Sequence, residues 1–263
     1  PVKAENGILF LTDGKRLLAM DQWSGETLWE KPLRYPANAN VVDAAQGVVA
    51  VNDPPYLVVY QAEDGIILWE KDVCRERVQA YFFDTNIIVP CYGLTAVDVL
   101  SGKTVWERKS DDRIWKSAFA DGVIYFSQDL ETLTAFDVKN RKDRWITPLK
   151  VDRSQAFKVA GEHLFVTQFN QLCAVYREDG RVSWCVDGMK KVKPAVLWGE
   201  VVYLINGLRS GMSAFQIQNG SQLGRLDFAT YDLITFENDK QLMTASSEYL
   251  IFAVGKRIYA YGK

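Results

Sequence analysis

Short apolar runs separated by polar turn residues recur from one end of the chain to the other. Val123-Ile-Tyr-Phe126 and Val201-Val-Tyr-Leu-Ile205 are continuous and rich in β-branched and aromatic residues, as in strands buried on both faces. Shorter stretches such as Val41-Val-Asp-Ala44 and Lys116-Ser-Ala-Phe119 precede them, the latter running into the turn Ala120-Asp-Gly122. Further on come hairpin turns such as Trp23-Ser-Gly25, Glu63-Asp-Gly65 and Glu178-Asp-Gly180, where glycine supplies the positive φ of a tight reversal. The pattern predicts groups of four short antiparallel strands, the third and fourth joined by the glycine turn.

These groups repeat. Leu17-Leu-Ala-Met-Asp-Gln-Trp-Ser-Gly25-Glu-Thr-Leu-Trp29 recurs as Leu57 to Trp69 and as Leu94 to Trp106, with Leu133 to Trp145, Leu172 to Trp184 and Met212 to Gly224 following. Taking the small residue of each copy as a marker gives Ala19, Val59, Ala96, Ala135, Ala174, Ala214 and, in the last copy, Ala253. The steps between them are 40, 37, 39, 39, 40 and 39 residues, a period that covers nearly the whole chain.

The spacing Ala-x-Asp followed by Gly and, four residues later, Trp resembles the signature of the pyrroloquinoline-quinone-like β-propeller repeat family. The resemblance implies an all-β fold, a closed β-propeller of about seven four-stranded antiparallel blades, forming one domain over residues 1–263. Trp29, Trp69, Trp106, Trp145 and Trp184 are expected to fill the wedges between blades, and Gly25, Gly65, Gly102, Gly180 and Gly220 to close the turns before the fourth strands. Three departures stand out: Arg141 in place of the fourth turn glycine, Gly224 in place of the sixth Trp, and a last hairpin shortened to Val254-Gly-Lys-Arg257. If Tyr249–Val254 and Arg257–Tyr261 are instead the second and third strands of an unfinished blade, something outside this chain would complete it.

Composition narrows the function. With 48% apolar and 24% charged residues the chain can build a large core, and a net charge of -2 argues against bulk nucleic acid as a partner. No stretch of 18 apolar residues is present, so no membrane insertion by this chain is expected. The opening Pro1-Val2-Lys3-Ala4-Glu5 is not a signal peptide, and a chain that begins with Pro is expected to be processed or trimmed.

Quinoprotein dehydrogenases share the repeat, but they carry adjacent cysteines and calcium-binding acidic groups. Neither adjacent cysteines nor a D-x-[DN]-x-[DN]-G loop occurs here, so no cofactor is expected. Hydrolytic triads would have to use His163, the one histidine of the chain; its context Ala160-Gly-Glu-His163 reads as an exposed turn between the first and second strands. Four cysteines lack metal-ligand spacing. Cys173 and Cys185 lie on antiparallel strands about the Asp179-Gly180 turn, and Cys74 and Cys91 flank the third copy; for each pair the alternatives are a disulfide and two reduced thiols. Two bridges would point to an oxidising compartment.

In such blades the linkers between blades and the loops between second and third strands emerge on one side. The linkers carry Arg34, Tyr35, Arg75, Arg77, Arg113, Trp115, Arg153, Lys190, Lys191 and Lys193, and the loops add Tyr56, Tyr92, Phe169 and Arg209. Arginine and aromatic residues are common interface anchors, so the reading is a non-catalytic scaffold that binds a protein or peptide partner through this face. The family resemblance favours an extracytoplasmic location and is similar in kind to the propeller lipoproteins of outer-membrane β-barrel assembly. Two other classes are a ligand-sensing ectodomain of a larger receptor and an enzyme whose site is scattered around a central channel.

Overall fold

The structure, a computed structural model, describes residues 3–34, 40–74, 79–151, 157–168, 171–187, 196–206, 211–227, 243–245, 248–254 and 257–262. Contacts divide the chain into two compact units, Pro1–Ile114 and Trp115–Lys263.

The first unit holds three sheets. The first comprises β1 (Lys3–Glu5), β2 (Ile8–Thr12), β3 (Arg16–Asp21) and β4 (Thr27–Pro32), and the second β5 (Asn40–Ala45), β6 (Val48–Asp53), β7 (Tyr56–Gln61) and β8 (Ile67–Asp72). In each, strands pair in sequence order and antiparallel. The third sheet comprises β9 (Tyr81–Phe83), β10 (Asn86–Asp98) and β11 (Thr104–Arg113). Here β10 does the work of two strands: its first part pairs with β9, its second with β11, and the Val99 N–H donates to Thr85 O across its two ends. The reversal passes through Gly93 at φ 90°, where a Cβ would stand 1.8 Å from the Arg108 carbonyl oxygen, so no other residue fits.

Between the first two sheets lies a core of Phe10, Leu17, Val49, Val51, Val58 and Tyr60; between the second and third, Val48, Ala50, Leu57, Val59, Ile87 and Val89. Strictly alternating side chains explain this: β6 and β7 are buried on both faces and serve two cores at once. Each core is capped by an indole. Trp29 donates from Nε1 to Ala62 O at 2.9 Å and Trp69 to Val99 O at 2.7 Å, each ring lying over the turn glycine of the next sheet, Gly65 and Gly102. A one-residue bulge after Ala19, Val59 and Ala96 sets the spacing that places the Trp opposite the small residue.

The second unit repeats the scheme. Its fourth to sixth sheets comprise β12 (Ser117–Ala120), β13 (Val123–Phe126), β14 (Thr132–Asp137) and β15 (Lys142–Pro148); β16 (Phe157–Ala160), β17 (His163–Gln168), β18 (Gln171–Tyr176) and β19 (Val182–Asp187); and β20 (Val196–Trp198), β21 (Val201–Asn206), β22 (Gly211–Gln216) and β23 (Gln222–Asp227). Trp145 donates to Arg177 O and Trp184 to Ile217 O, with Gly180 and Gly220 beneath the rings. Arg141 occupies the place of the fourth turn glycine and adopts its left-handed conformation, φ 55°. Arg177 ties the fourth sheet to the fifth by hydrogen bonds to Tyr125 Oη and Asp121, and is held within its own sheet by one to Gly161 O.

The seventh sheet differs. It comprises β24 (Met243–Ala245), β25 (Tyr249–Val254) and β26 (Arg257–Gly262), and among the described residues no strand lies beyond β26. Register corrects the marker expected at Ala253: in the other sheets the small residue of the third strand faces the middle of the second, as Ala19 faces Phe10 and Ala174 faces Phe165, and here Ala260 faces Ile251. Tyr249–Val254 and Arg257–Gly262 are thus the second and third strands of their sheet.

His163 is a second correction. It is the first residue of β17, opposite Tyr176 and only 5% exposed, its ring 4.7 Å from that of Tyr176 and 6.0 Å from that of Phe165. The Ala160-Gly-Glu turn is tighter than the sequence reading allowed, so the strand begins at the histidine, and alternation puts its ring on the buried face of Phe165. Burial lowers its pKa.

Candidate protein-binding face

In the first unit the linkers and the loops between second and third strands are laced together by main-chain hydrogen bonds. Leu33 N–H donates to Lys15 O at 2.9 Å, Val73 N–H to Pro55 O at 3.3 Å, and Ile114 N–H to Cys91 O at 2.7 Å. A disulfide joins Cys74, which follows β8, to Cys91, at the reversal of β10. Each linker therefore continues from the fourth strand onto a loop of its own or the next sheet, and in this unit linkers and loops share one face. The second unit shows the same lacing where Leu149 N–H donates to Glu131 O and Val151 N–H to Leu130 O.

Arg34 is the best-defined charged residue of this face. Its main-chain N–H donates to the Asp53 carboxylate at 2.8 Å, its guanidinium lies 4.8 Å from the Tyr56 ring centroid, and it forms an ion pair with Glu70 of β8. The Glu70 hydrogen bond raises its pKa further. Its charge is therefore matched within the chain, and what it presents outward is an ordered Arg–Tyr pair. Glu70 was not among the expected site residues, although its signal is in the sequence: Glu follows Trp at positions 30, 70 and 107.

Tyr92, at the reversal of β10, is 60% exposed and pairs in register with Arg113 at the end of β11. Arg113 is partly buried, and that desolvation lowers its pKa. Trp115 begins the second unit with 37% of its surface exposed. The acidic loop residues are spent on local structure: Asp13 accepts from the Lys15 and Arg16 N–H groups, which hold its pKa down to about 2, and Asp129 accepts from Glu131 and Thr132. Tyr35, Arg75, Arg77, Arg153, Phe169, Lys190, Lys191, Lys193 and Arg209 lie outside the described residues. Of the expected anchors, the first unit thus holds Arg34 and Arg113 in place, with Tyr56 and Tyr92 beside them.

Among the described residues no group of three or more His, Cys, Asp or Glu side chains could hold a metal ion. Cys173 and Cys185, opposite one another on β18 and β19, form a second disulfide. No described helix is long and apolar enough to cross a membrane.

Comparison with known families decides the kinship. The family described as outer membrane protein assembly factor BamB matches residues 13–112 and 92–257. The chain belongs to that family. BamB from Moraxella catarrhalis is similar in structure at a TM-score of 0.76 with 14% identity, covering 98% of this chain and 80% of that one. The computationally designed Ika8 protein superposes at 0.74 with 10% identity over 100% of this chain and 82% of that one. Hsv2p of Kluyveromyces lactis does so at 0.69 with 8% identity over 100% and 93%. At such identities the likeness concerns the fold, which is the β-propeller of pyrroloquinoline-quinone-like repeats. No curated protein sequence matches the chain.

Proposed function

We propose that this protein is a non-catalytic scaffold that docks a protein partner on its linker face, in the outer-membrane protein assembly that its family is named for. The observation that carries the reading is the lacing of linkers to loops by main-chain hydrogen bonds and the Cys74–Cys91 disulfide, which hold exposed Tyr92 and the Arg34–Tyr56 pair on a fixed surface. Rigid aromatic and arginine groups lose little entropy on docking, which is why they anchor interfaces. Two disulfides suit an oxidising compartment such as the periplasm. The match over 92–257 runs across the boundary between the two units, which supports a single propeller domain over residues 1–263.

The test is capture of partners from native lysate by the wild-type chain and by an Arg75→Glu, Arg77→Glu, Tyr92→Ala variant whose thermal unfolding matches wild type. Arg113 is left intact because it is partly buried. Loss of one stoichiometric partner in the variant is expected; equal capture by both proteins overturns the reading.

A further inference from the structure

In the second sheet β8 closes the order of strands, so alternate main-chain N–H and C=O groups along it point away from β7 with no described strand outside them. Such an edge is ordinarily guarded by charged or polar side chains, because an unguarded one is a template for another strand. Five of the six described outermost strands that follow a glycine-type turn keep that guard. The residue after the turn is Glu26 before β4, Lys103 before β11, Lys142 in β15, Arg181 before β19 and Ser221 before β23. Only β8 drops it. After Gly65 the chain runs Ile66-Ile67-Leu68, and these side chains are 57, 50 and 39% exposed. Their backbone is ordered all the same: the Ile66 N–H donates to the Asp64 carboxylate and Ile66 O accepts from Gln61 N–H.

Charge brackets the apolar run. Glu63 and Asp64 lie exposed before it and Asp72 lies exposed after it. The charges between are used within the chain, since Glu70 pairs with Arg34 and Lys71 donates to Gly102 O. Lys31 of β4 lies against Gly65, on the side of the first sheet. An incoming strand therefore meets carboxylates at both ends and apolar side chains in the middle. A second copy of the chain does not match that pattern. Two antiparallel β8 strands centred on Leu68 would set Asp64 against Asp72, and centred on Ile67 they would set Asp64 against Glu70. Like charges oppose in either register.

We propose that the outer edge of β8 accepts an extended basic–apolar–basic segment of a partner protein as a fifth strand of the second sheet. The segment runs antiparallel to β8, like each strand pair of that sheet. Its apolar centre covers Ile66, Ile67 and Leu68, and a Lys or Arg near each end meets Asp72 and the Glu63-Asp64 pair. The site uses none of Arg34, Tyr56 and Tyr92 of the linker face, so either can fail without the other.

The probe is a fluorescein-labelled Lys-Thr-Val-Thr-Val-Thr-Val-Thr-Lys peptide added to the whole 263-residue chain, with binding read by anisotropy and location by amide hydrogen exchange. Saturable binding with new protection confined to residues 66–72 is expected. The same peptide N-methylated at every Thr and Val cannot donate main-chain hydrogen bonds and should bind about ten-fold more weakly or worse. Ile66→Lys with Ile67→Thr gives β8 the start that the third sheet has, Lys103-Thr104, at two exposed positions. It should leave thermal unfolding unchanged and weaken binding by about ten-fold or more. Glu63→Lys with Asp72→Lys should weaken it by about two- to five-fold, with recovery for a peptide carrying Glu in place of Lys. The proposal is overturned if binding does not saturate, if the N-methylated peptide or the Ile66→Lys, Ile67→Thr variant binds equally, or if protection appears elsewhere. It also falls if the chain alone sediments as a dimer that the same variant makes monomeric, because a second copy then holds the edge.

Discussion

Two junctions in the second unit were built from the same repeat and ended differently. Between the fifth and sixth sheets, Phe165, Leu172, Ala174, Val202, Leu204 and Phe215 are buried together, and Trp184 closes the outer end with its ring over Gly220 and its N–H on Ile217 O. Between the sixth and seventh, Val196, Met212 and Leu250 form the buried cluster among the described residues, and the outer end is a cavity. Gly224 stands opposite Ala214 in the place that Trp184 holds opposite Ala174, so no indole closes this end. A repeat protein is held by pairwise interfaces between neighbours, so a gap in one leaves the others intact.

The largest test turns the full junction into an empty one. Trp184→Ala should lower stability by about 3 kcal/mol in urea denaturation, because it removes both the partly buried ring and the partner of the Ile217 carbonyl. Next in size, replacing Cys173 and Cys185 by Ser, just beside that Trp, should cost about 2–4 kcal/mol under oxidising conditions and less in reductant, where only the burial of the hydroxyl at position 173 remains. Gly220→Ala should cost about 1–3 kcal/mol: its φ is 70° and the added Cβ would fall 2.6 Å from the Trp184 ring, so the ring must move.

Acid should loosen the same junction through His163. Its folded pKa lies below the ordinary value of 6.5 because burial disfavours the imidazolium. The unfolded chain therefore binds the proton first as pH falls. The stabilisation is complete above the unfolded pKa and drains away between that value and the lower folded one. A His163→Gln variant should lack this acid limb in unfolding curves taken as a function of pH. Smallest of all, Gly224→Ala has nothing within 4 Å to meet and should raise stability by less than about 1 kcal/mol, the opposite sign from Gly220→Ala four residues earlier.

Much of this was legible in the residues. The Ala–Gly–Trp register, the hairpins and the lost sixth Trp were readable because side-chain period and turn chemistry are local. Ala253 misled because Phe252-Ala253 imitates the marker, and only strand pairing shows that Ala260 holds the place opposite β25. His163 misled because whether a strand starts at a residue or one residue after it decides between solvent and core. Of the candidate face, the residue types were visible, whereas the pairing of Arg34 with Glu70 and Tyr56 joins positions 36 and 22 apart in the chain and follows only from packing.

By itself, then, the sequence determined the strand period, the repeat and the residues that each sheet brings to its neighbour, since these depend on alternation and on turns of a few residues. The tertiary structure alone decided which cysteines bond, which arginine is already neutralised, and which register the strands of the last sheet take. Those outcomes depend on how closely distant strands approach, and that distance is set by the stacking of sheets.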